Sequence, residues 1–362
     1  MISFANLNSQ LDRLRPAINE RISQVLAHGK YIGGPEVEEL EARLGDYVGV
    51  KHCIGVANGT DAIQLAVMAL DIKPGDNVIV PDFSYIAAAE VLSLLGIEPI
   101  FVDVDPRTYC ICPAQVAKAI TSRTKAIITV DLYGHCADYS ALQEIAERHS
   151  IPIIEDAAQA MGASQKGRRS GAFGTIATTS FFPTKPLGCF GDGGACFTDS
   201  DELAASIRRL KAHGQTEKYH HVQVGINSRL DTIQAAILLA KLAIFDEEVA
   251  MRQSVASRYR ELLEGKIQTP STEADNTHAW GQFTIEISNR EEVRGHLTAK
   301  GIPTAIHYPM PSSSQPAYAK IAVNTPNTLK ASQRVLSLPM NPYLSRDEQE
   351  QVVREILAVG IE

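Results

Sequence analysis

The residues Asn58-Gly59-Thr60-Asp61 open a helical pattern and form a candidate phosphate site. The pattern continues as AIQLAVMAL, with apolar residues at helical spacing. Gly59 lets a ligand approach the backbone closely, and the unpaired N–H groups at a helix start favour a phosphate. An ordinary capped helix start explains the same residues equally well. The segment therefore indicates a phosphate only in combination with other features.

Two further residues combine charge with apolar surroundings. Asp156 follows the strand pattern Pro152–Glu155 and precedes the helical pattern AAQAM. A carboxylate at a strand end could pair with a protonated ring nitrogen, or simply cap the next helix. Lys185 lies in SFFPTKPLGCFGDGG, where a desolvated lysine would lose its proton readily and act as a nucleophilic amine. A solvated lysine is the ordinary alternative. Ser180 could supply a hydroxyl to an anion.

The stretch from Arg208 to Arg229 is locally basic, although the whole chain carries a formal charge of −8. It predicts either a site for a diphosphate or carboxylate, or a solvated helix face followed by a loop. The overall charge argues against a general nucleic-acid-binding protein. GASQKGRRS lacks the lysine and hydroxyl of a P-loop, GCFGDGG lacks a dinucleotide-binding context, and no Cys/His spacing indicates a metal site.

The elements that must position these residues alternate between strand and helix. Continuous apolar runs predict strands, and alternating β and α units predict a largely parallel sheet with helices on both faces. The predicted strands are Asn77–Pro81, Ile100–Val104, Ala126–Val130, Pro152–Glu155, Thr175–Phe181 and Gly194–Thr198.

The pattern changes after Arg229. Asp231 to Leu262 reads as one long helix with Asp231 as its N-cap, followed by a strand at Gln282–Ile287 and a helix at Arg290–Lys300. We therefore expect a large domain over residues 1–245 and a smaller α+β domain over residues 246–362, with the N-terminal helix packing on the small domain. The six dispersed cysteines indicate free thiols. The absence of a signal pattern or a long apolar run indicates a cytoplasmic protein that does not cross a membrane.

These features, in this order, resemble the DegT/StrS-type sugar aminotransferases, a branch of the fold-type I pyridoxal-phosphate-dependent transferases. The motifs that carry the resemblance are EDAAQ, SFFPTKPLG and GINSRLD, and it extends from GKYIGGPEVEELE to SLPMNPYLS. It implies a cytoplasmic enzyme with pyridoxal 5′-phosphate as cofactor. It also implies a homodimer whose active sites are shared between subunits.

The resemblance assigns a role to each candidate residue. Lys185 would be joined covalently to the cofactor and Asp156 would bind the pyridine nitrogen. The remaining cofactor contacts would be Gln159 near the phenolic oxygen, Tyr85 stacked on the ring, Gly59, Thr60 and Ser180 at the phosphate, and Asn227 reaching the phosphate from the partner subunit.

Within that family, the sequence is most similar to enzymes that aminate C3 of a UDP-linked 2-acetamido-3-oxo-glucuronate for bacterial surface polysaccharides. Arg229, His307 and Tyr308 would then meet the sugar nucleotide, with L-glutamate as the amino donor. A UDP- or dTDP-linked 4-keto-6-deoxy sugar is the alternative acceptor. A sugar dehydratase is disfavoured because the dehydratases of this fold carry histidine where this chain has Lys185. A non-enzymatic cofactor-binding regulator is disfavoured because the set of cofactor residues is complete.

Overall fold

The computed structural model describes residues 2–272 and 275–360. The strands are β1 His52–Val56, β2 Asn77–Pro81, β3 Glu98–Val102, β4 Thr124–Val130, β5 Ile153–Asp156, β6 Ser164–Gln165, β7 Arg168–Arg169, β8 Ile176–Ser180, β9 Gly194–Thr198, β10 Gln215–Glu217, β11 His220–His221, β12 Asn276–Thr277, β13 Phe283–Glu286 and β14 Val335–Leu338. The α-helices are α1 Leu7–His28, α2 Pro35–Val48, α3 Gly59–Ala69, α4 Ala87–Leu94, α5 Pro113–Ala119, α6 Tyr139–His149, α7 Asp201–Leu210, α8 Thr232–Leu242, α9 Phe245–Leu263, α10 Arg290–Ala299, α11 Pro326–Arg334 and α12 Arg346–Ala358.

A seven-stranded sheet of order β1-β9-β8-β5-β4-β2-β3 forms the centre of the molecule. The five neighbouring strands β8, β5, β4, β2 and β3 are parallel to one another. Strand β9 is antiparallel to both of its neighbours, β8 and β1. The predicted mixed, mostly parallel sheet is confirmed. Parallel strands place their carboxyl ends at one edge, where open α/β sheets bind ligands.

Alternate residues of the strands enter different cores, so both faces of the sheet are covered. In β1, Ile54 packs with the cluster that includes α3, α4 and α6, and Cys53 packs with the cluster formed by α2 and α8. In β9, Cys196 and Phe197 divide in the same way. This is the expected outcome of the two-residue repeat of a strand. All six cysteines are free.

A separate core is formed mainly by the C-terminal part of the chain. It runs from Val255 to Ile356, includes Ile2, and packs β13 and β14 against α9, α10 and α12. The domain division at residue 245 stays a prediction. The apolar face of α1 packs on α8, not on this core, through Leu14 and Ile18.

The helix predicted over Asp231–Leu262 is in fact two helices, α8 and α9, separated at Ala243 and Ile244. The interruption redirects the chain, because α8 packs against α1 and α2 whereas the later part of α9 enters the C-terminal core. Asp231 is the N-cap residue of α8, as predicted, although its side chain forms no capping hydrogen bond. The prediction of a single helix was wrong.

Another local prediction differs from the structure. AAQAM forms turns after Asp156 instead of a helix, and the chain then forms the β6–β7 hairpin, which was not predicted. Strand β1 was not predicted, because HCIGV is short and contains a polar residue and a glycine. Over the part of the chain that the structure describes, no helix combines the length and apolar character needed to cross a bilayer.

Candidate active site

Lys185 and Asp156 lie at the carboxyl ends of neighbouring parallel strands. β5 ends at Asp156, which is paired with Thr178 of β8. The chain leaves β8 at Ser180, and Lys185 follows in a tight turn in which its N–H donates to the Phe182 carbonyl at 2.9 Å. The sheet topology therefore brings both predicted residues to the edge where ligands bind.

The two side chains influence each other's protonation. Burial lowers the pKa of Lys185, and the charge of Asp156 opposes this effect. Burial raises the pKa of Asp156, while the Ala158 N–H, bonded to Asp156 Oδ1 at 3.0 Å, and the charge of Lys185 act in the opposite direction. A lysine with a lowered pKa supplies a neutral, nucleophilic amine closer to physiological pH than a solvated lysine does.

Gln159 connects the turn after β4 with the C-terminal part of the chain. Its Oε1 accepts the Tyr133 N–H at 2.8 Å, and its Nε2 donates to the Tyr308 hydroxyl at 3.2 Å. Gln159 belongs to the turns that follow β5, and Tyr308 comes from the C-terminal part of the chain. Burial raises the pKa of Tyr308, and the nearby charges of Asp156 and Tyr85 add to the effect. Tyr308 is therefore a protonated phenol at neutral pH.

His307 lies close enough to Lys185 for the charge of the lysine to act on its ring. Its Nδ1 lies 2.9 Å from Ser337 Oγ, and its carbonyl accepts a hydrogen bond from the Tyr133 hydroxyl. Burial lowers the pKa of His307 to about 4, with a further contribution from the charge of Lys185. His307 is thus neutral at physiological pH and presents a polar, uncharged ring to the site.

Tyr85 provides an exposed aromatic surface next to Tyr308. The Tyr85 side chain is 59% exposed, and its ring centroid lies 6.4 Å from that of Tyr308. The exposure leaves a ring face available for a planar ligand, since aromatic groups gain from stacking. The structure thus brings together Lys185, Asp156, Gln159, Tyr85, His307 and Tyr308.

The start of α3 lies against the end of β8. A Cβ atom on Gly59 would lie 2.7 Å from the Ser180 Cβ, so position 59 requires glycine. The Asn58 side chain caps the helix by accepting the Asp61 N–H at 2.8 Å. Gly59, Thr60 and Ser180 therefore share one small region in which amide N–H groups and hydroxyls can surround an anion. The region therefore suits the phosphate group of a cofactor.

Asn227 and Arg229 line an exposed cleft together with Asn58, Gly191 and Gln234, so the cleft borders the start of α3. The cleft contains none of Lys185, Asp156 or Tyr308. Both Asn227 and Arg229 are exposed, and within residues 2–272 and 275–360 Arg229 forms no ion pair.

The basic stretch divides between scaffold and surface. Arg208 pairs with Glu41 at 2.9 Å, and Lys211 donates to the Gly55 carbonyl at 2.7 Å. These two cations hold α7 against β1 and α2, so their charge is not free for a ligand. Of the other basic residues in the stretch, Lys218 and Arg229 are both exposed, and Arg229 lines the cleft described above.

Tyr133 was missed by the sequence analysis, although it contacts both Gln159 and His307. It follows β4, so the rule that ligands bind at strand carboxyl ends could have indicated it. Ser337, the partner of the His307 ring, lies in β14 and gave no signal because its role depends on packing between distant segments.

Comparisons with known proteins agree with this geometry. Residues 12–357 match the model of the DegT/DnrJ/EryC1/StrS aminotransferase family. The chain is 55% identical to a UDP-2-acetamido-2-deoxy-3-oxo-D-glucuronate aminotransferase from Pseudomonas aeruginosa, over 95% of this chain and 96% of the relative. It is 43% identical to a UDP-N-acetyl-3-dehydro-alpha-D-glucosamine 3-aminotransferase from Acidithiobacillus ferrooxidans, over 98% of this chain and 95% of the relative.

A solved structure is similarly close. The fold matches S. venezuelae DesV, solved in complex with a ketimine intermediate, with a TM-score of 0.95 and 43% identity, covering 98% of this chain and 97% of that chain. A ketimine forms when an amino group is carried on the vitamin B6 cofactor. The chain therefore belongs to the DegT/DnrJ/EryC1/StrS aminotransferase family and is a pyridoxal-phosphate-dependent sugar aminotransferase.

Proposed function

We propose that this enzyme transfers an amino group from L-glutamate to C3 of UDP-2-acetamido-2-deoxy-3-oxo-D-glucuronate, in the cytoplasm, for a bacterial surface polysaccharide such as O-antigen. The observation that carries the reaction class is that Lys185 and Asp156 lie at the carboxyl ends of two neighbouring parallel strands, where burial lowers the pKa of the lysine. The acceptor is supported by the similarity to the P. aeruginosa relative and by the exposed cation of Arg229.

The residues around the lysine would hold the cofactor, which when bound carries the amino group and accepts electrons from the carbon that loses a proton. Lys185 would hold it covalently and Asp156 would pair with its ring nitrogen. Gln159 Nε2 would lie near its phenolic oxygen and Tyr85 against the ring face. Gly59, Thr60 and Ser180 would surround the phosphate, since they meet at the α3 start.

Lys185 would also move the proton. Once the amino donor has taken its place, the free Lys185 amine would take a proton from the α-carbon of the donor and would give it up again as the amino group moves onto the cofactor. The lowered pKa supports this role, because the neutral amine is the form that accepts a proton. Donor and acceptor would use the same site in turn, which predicts ping-pong kinetics.

Arg229, His307 and Tyr308 would bind the acceptor. An arginine can bind the uronate carboxylate through two parallel hydrogen bonds. Neutral His307 and protonated Tyr308 offer hydrogen bonds to sugar hydroxyl or carbonyl oxygens without adding charge.

The active unit would be a homodimer in which Asn227 and Arg229 of one subunit complete the site of the other. The exposure of both residues, in a cleft that borders the start of α3, supports this arrangement. Mixing Lys185→Ala with Arg229→Leu tests it, because a mixed dimer regains one intact site if the residues act across the interface. We expect about a quarter of wild-type activity after random subunit exchange. No recovery on mixing would contradict sharing.

The acceptor is tested by incubating purified enzyme with L-glutamate and each of several keto sugar nucleotides, followed by mass analysis. We expect the 3-amino uronate product together with 2-oxoglutarate. A 4-amino-6-deoxy product would support the alternative acceptor instead. Loss of water without consumption of an amino acid would support a dehydratase and contradict the proposal.

A further inference from the structure

We propose that Tyr133 is a positioning residue that fixes the orientation of the Gln159 amide and of the His307–Tyr308 segment, and that it thereby serves the sugar-accepting half of the reaction. This inference deepens the proposed function and rests on it for the identity of the acceptor. Tyr133 lies just after β4, in the turn Leu132–Gly134, and only 3% of its surface is exposed. Its backbone and its hydroxyl contact different segments.

The backbone of Tyr133 determines which way the Gln159 amide points. A backbone N–H can only donate, so the atom 2.8 Å away must be the amide oxygen, Gln159 Oε1. The amide nitrogen must then face Tyr308, and it donates to the hydroxyl oxygen at 3.2 Å. Tyr308 consequently accepts from Gln159 and keeps its own proton to donate elsewhere. Tyr308 is fixed as a hydrogen-bond donor towards a ligand.

The side chain of Tyr133 holds the backbone of His307, and Ser337 holds its ring. Its hydroxyl donates to the His307 carbonyl, while Ser337 Oγ lies 2.9 Å from His307 Nδ1. Ser337 is fully buried and lies 2.9 Å from Thr284 Oγ1, so this anchor is itself fixed. With Nδ1 engaged, Nε2 is the ring nitrogen left for the site. His307 is thus tethered at both its backbone and its ring.

The turn that carries Tyr133 has little freedom to move. The Tyr133 carbonyl accepts the Gln282 N–H at 3.3 Å, and the Gly134 carbonyl accepts the Ala279 N–H at 2.8 Å. A Cβ atom on Gly134 would lie 2.8 Å from the Trp280 nitrogen, so a side chain cannot fit. The turn is therefore a rigid support, as a positioning residue requires.

Tyr133→Phe removes the hydroxyl and leaves the backbone bond to Gln159. Tyr109→Phe is the matched control, because Tyr109 is also buried, its ring centroid lies 5.6 Å from that of Tyr133, and its hydroxyl bonds to Glu286 instead. In single-turnover experiments, we expect Tyr133→Phe to slow transfer to the sugar about tenfold and to leave transfer from L-glutamate within about twofold. Tyr109→Phe should affect the two half-reactions equally. Equal losses in both half-reactions of Tyr133→Phe would overturn the proposal.

A second readout does not require the sugar. Diethyl pyrocarbonate modifies accessible histidines, and mass mapping gives the rate at His307 in the cofactor-loaded enzyme. We expect this rate to rise several-fold in Tyr133→Phe and to stay unchanged in Tyr109→Phe. An unchanged rate in Tyr133→Phe would reject the positioning role. If the modification rate of His307 rises in Tyr133→Phe but the enzyme aminates no sugar nucleotide, the positioning role is retained and the proposed acceptor is rejected.

Discussion

The region around Lys185 and the segment that carries Asn227 and Arg229 differ in how they are held. In the first, Asp156 ends strand β5, Gln159 and Lys185 follow in turns after parallel strands, and all three are held by contacts within one chain. In the second, both side chains are exposed in an open cleft. The amine chemistry is thus built by the packing of a single chain, whereas the proposed choice of acceptor relies on surface that a second copy can cover.

The largest expected effect is on the enclosed region. Lys185→Ala should lower turnover by more than about a thousandfold, because it removes both the covalent attachment and the proton-transfer group. Lys118→Ala, an exposed lysine of α5, is the control and should leave turnover unchanged. Steady-state amination rates measure both. Substantial activity in Lys185→Ala would show that the chemistry does not depend on this side chain.

Asp156→Asn should have the next largest effect. Asparagine can still accept the Ala158 N–H, but it removes the charge that raises the pKa of Lys185. We expect turnover to fall about a hundredfold and the pKa of the lysine linkage, followed by the visible spectrum, to move downward. Asp46→Asn on α2 is the surface control. A pKa that does not move in Asp156→Asn would contradict electrostatic coupling between the two residues.

Arg229→Leu probes the exposed segment and should change selectivity more than chemistry. The kcat/KM for the 3-keto uronate should fall about a hundredfold, since a carboxylate would lose its charged partner. The corresponding neutral 3-keto sugar nucleotide should lose about threefold or less. Arg148→Gln on α6 provides the control. Equal losses of kcat/KM on the two substrates would show that Arg229 does not recognise the carboxylate.

The smallest expected effect is on the free energy of unfolding, through the buried residue His278. His278 is buried against Trp280, its Nδ1 accepts the Trp280 N–H at 2.9 Å, and burial lowers its pKa well below 6.5. As pH falls below 6.5, the unfolded chain binds a proton at this residue before the folded chain does, so the free energy of unfolding decreases.

His278→Asn should keep an acceptor for the Trp280 N–H and remove this titration. When the pH is lowered from about 7.5 to about 5, the free energy of unfolding should fall in both proteins. We expect the fall to be larger in wild type than in the variant, by up to about 2 kcal/mol. Urea unfolding of the apoenzyme at both pH values measures the difference. His149→Asn, an exposed residue of α6, should behave like wild type. The same pH dependence in His278→Asn and wild type would exclude His278 as the source.

Local sequence patterns predicted the parts of the fold that local physics controls. The bounds of β2 and β9 match the predictions, because both strands are buried along their whole length and read as apolar runs. The break between α8 and α9 could not be predicted, because each half is helical in pattern and only the two separate cores require a turn.

The candidate site shows the same division. Lys185 and Asp156 were predicted from apolar neighbours and strand ends, which are sequence-local features. Tyr133 also follows a strand end, but its contact with His307 could not be predicted, and Ser337 gave no local signal, because both contacts join segments that are separate in sequence. The exposure of Arg229 in a cleft beside the start of α3 is likewise a property of the tertiary structure.

The central claim is that the cofactor is bound covalently at position 185. Reduction of the cofactor-loaded enzyme with borohydride, followed by proteolysis and mass mapping, tests it directly. The expected result is a single phosphopyridoxyl group on the peptide that contains Lys185. A stable tag on another lysine, or no tag after reduction of a yellow enzyme, would contradict the account.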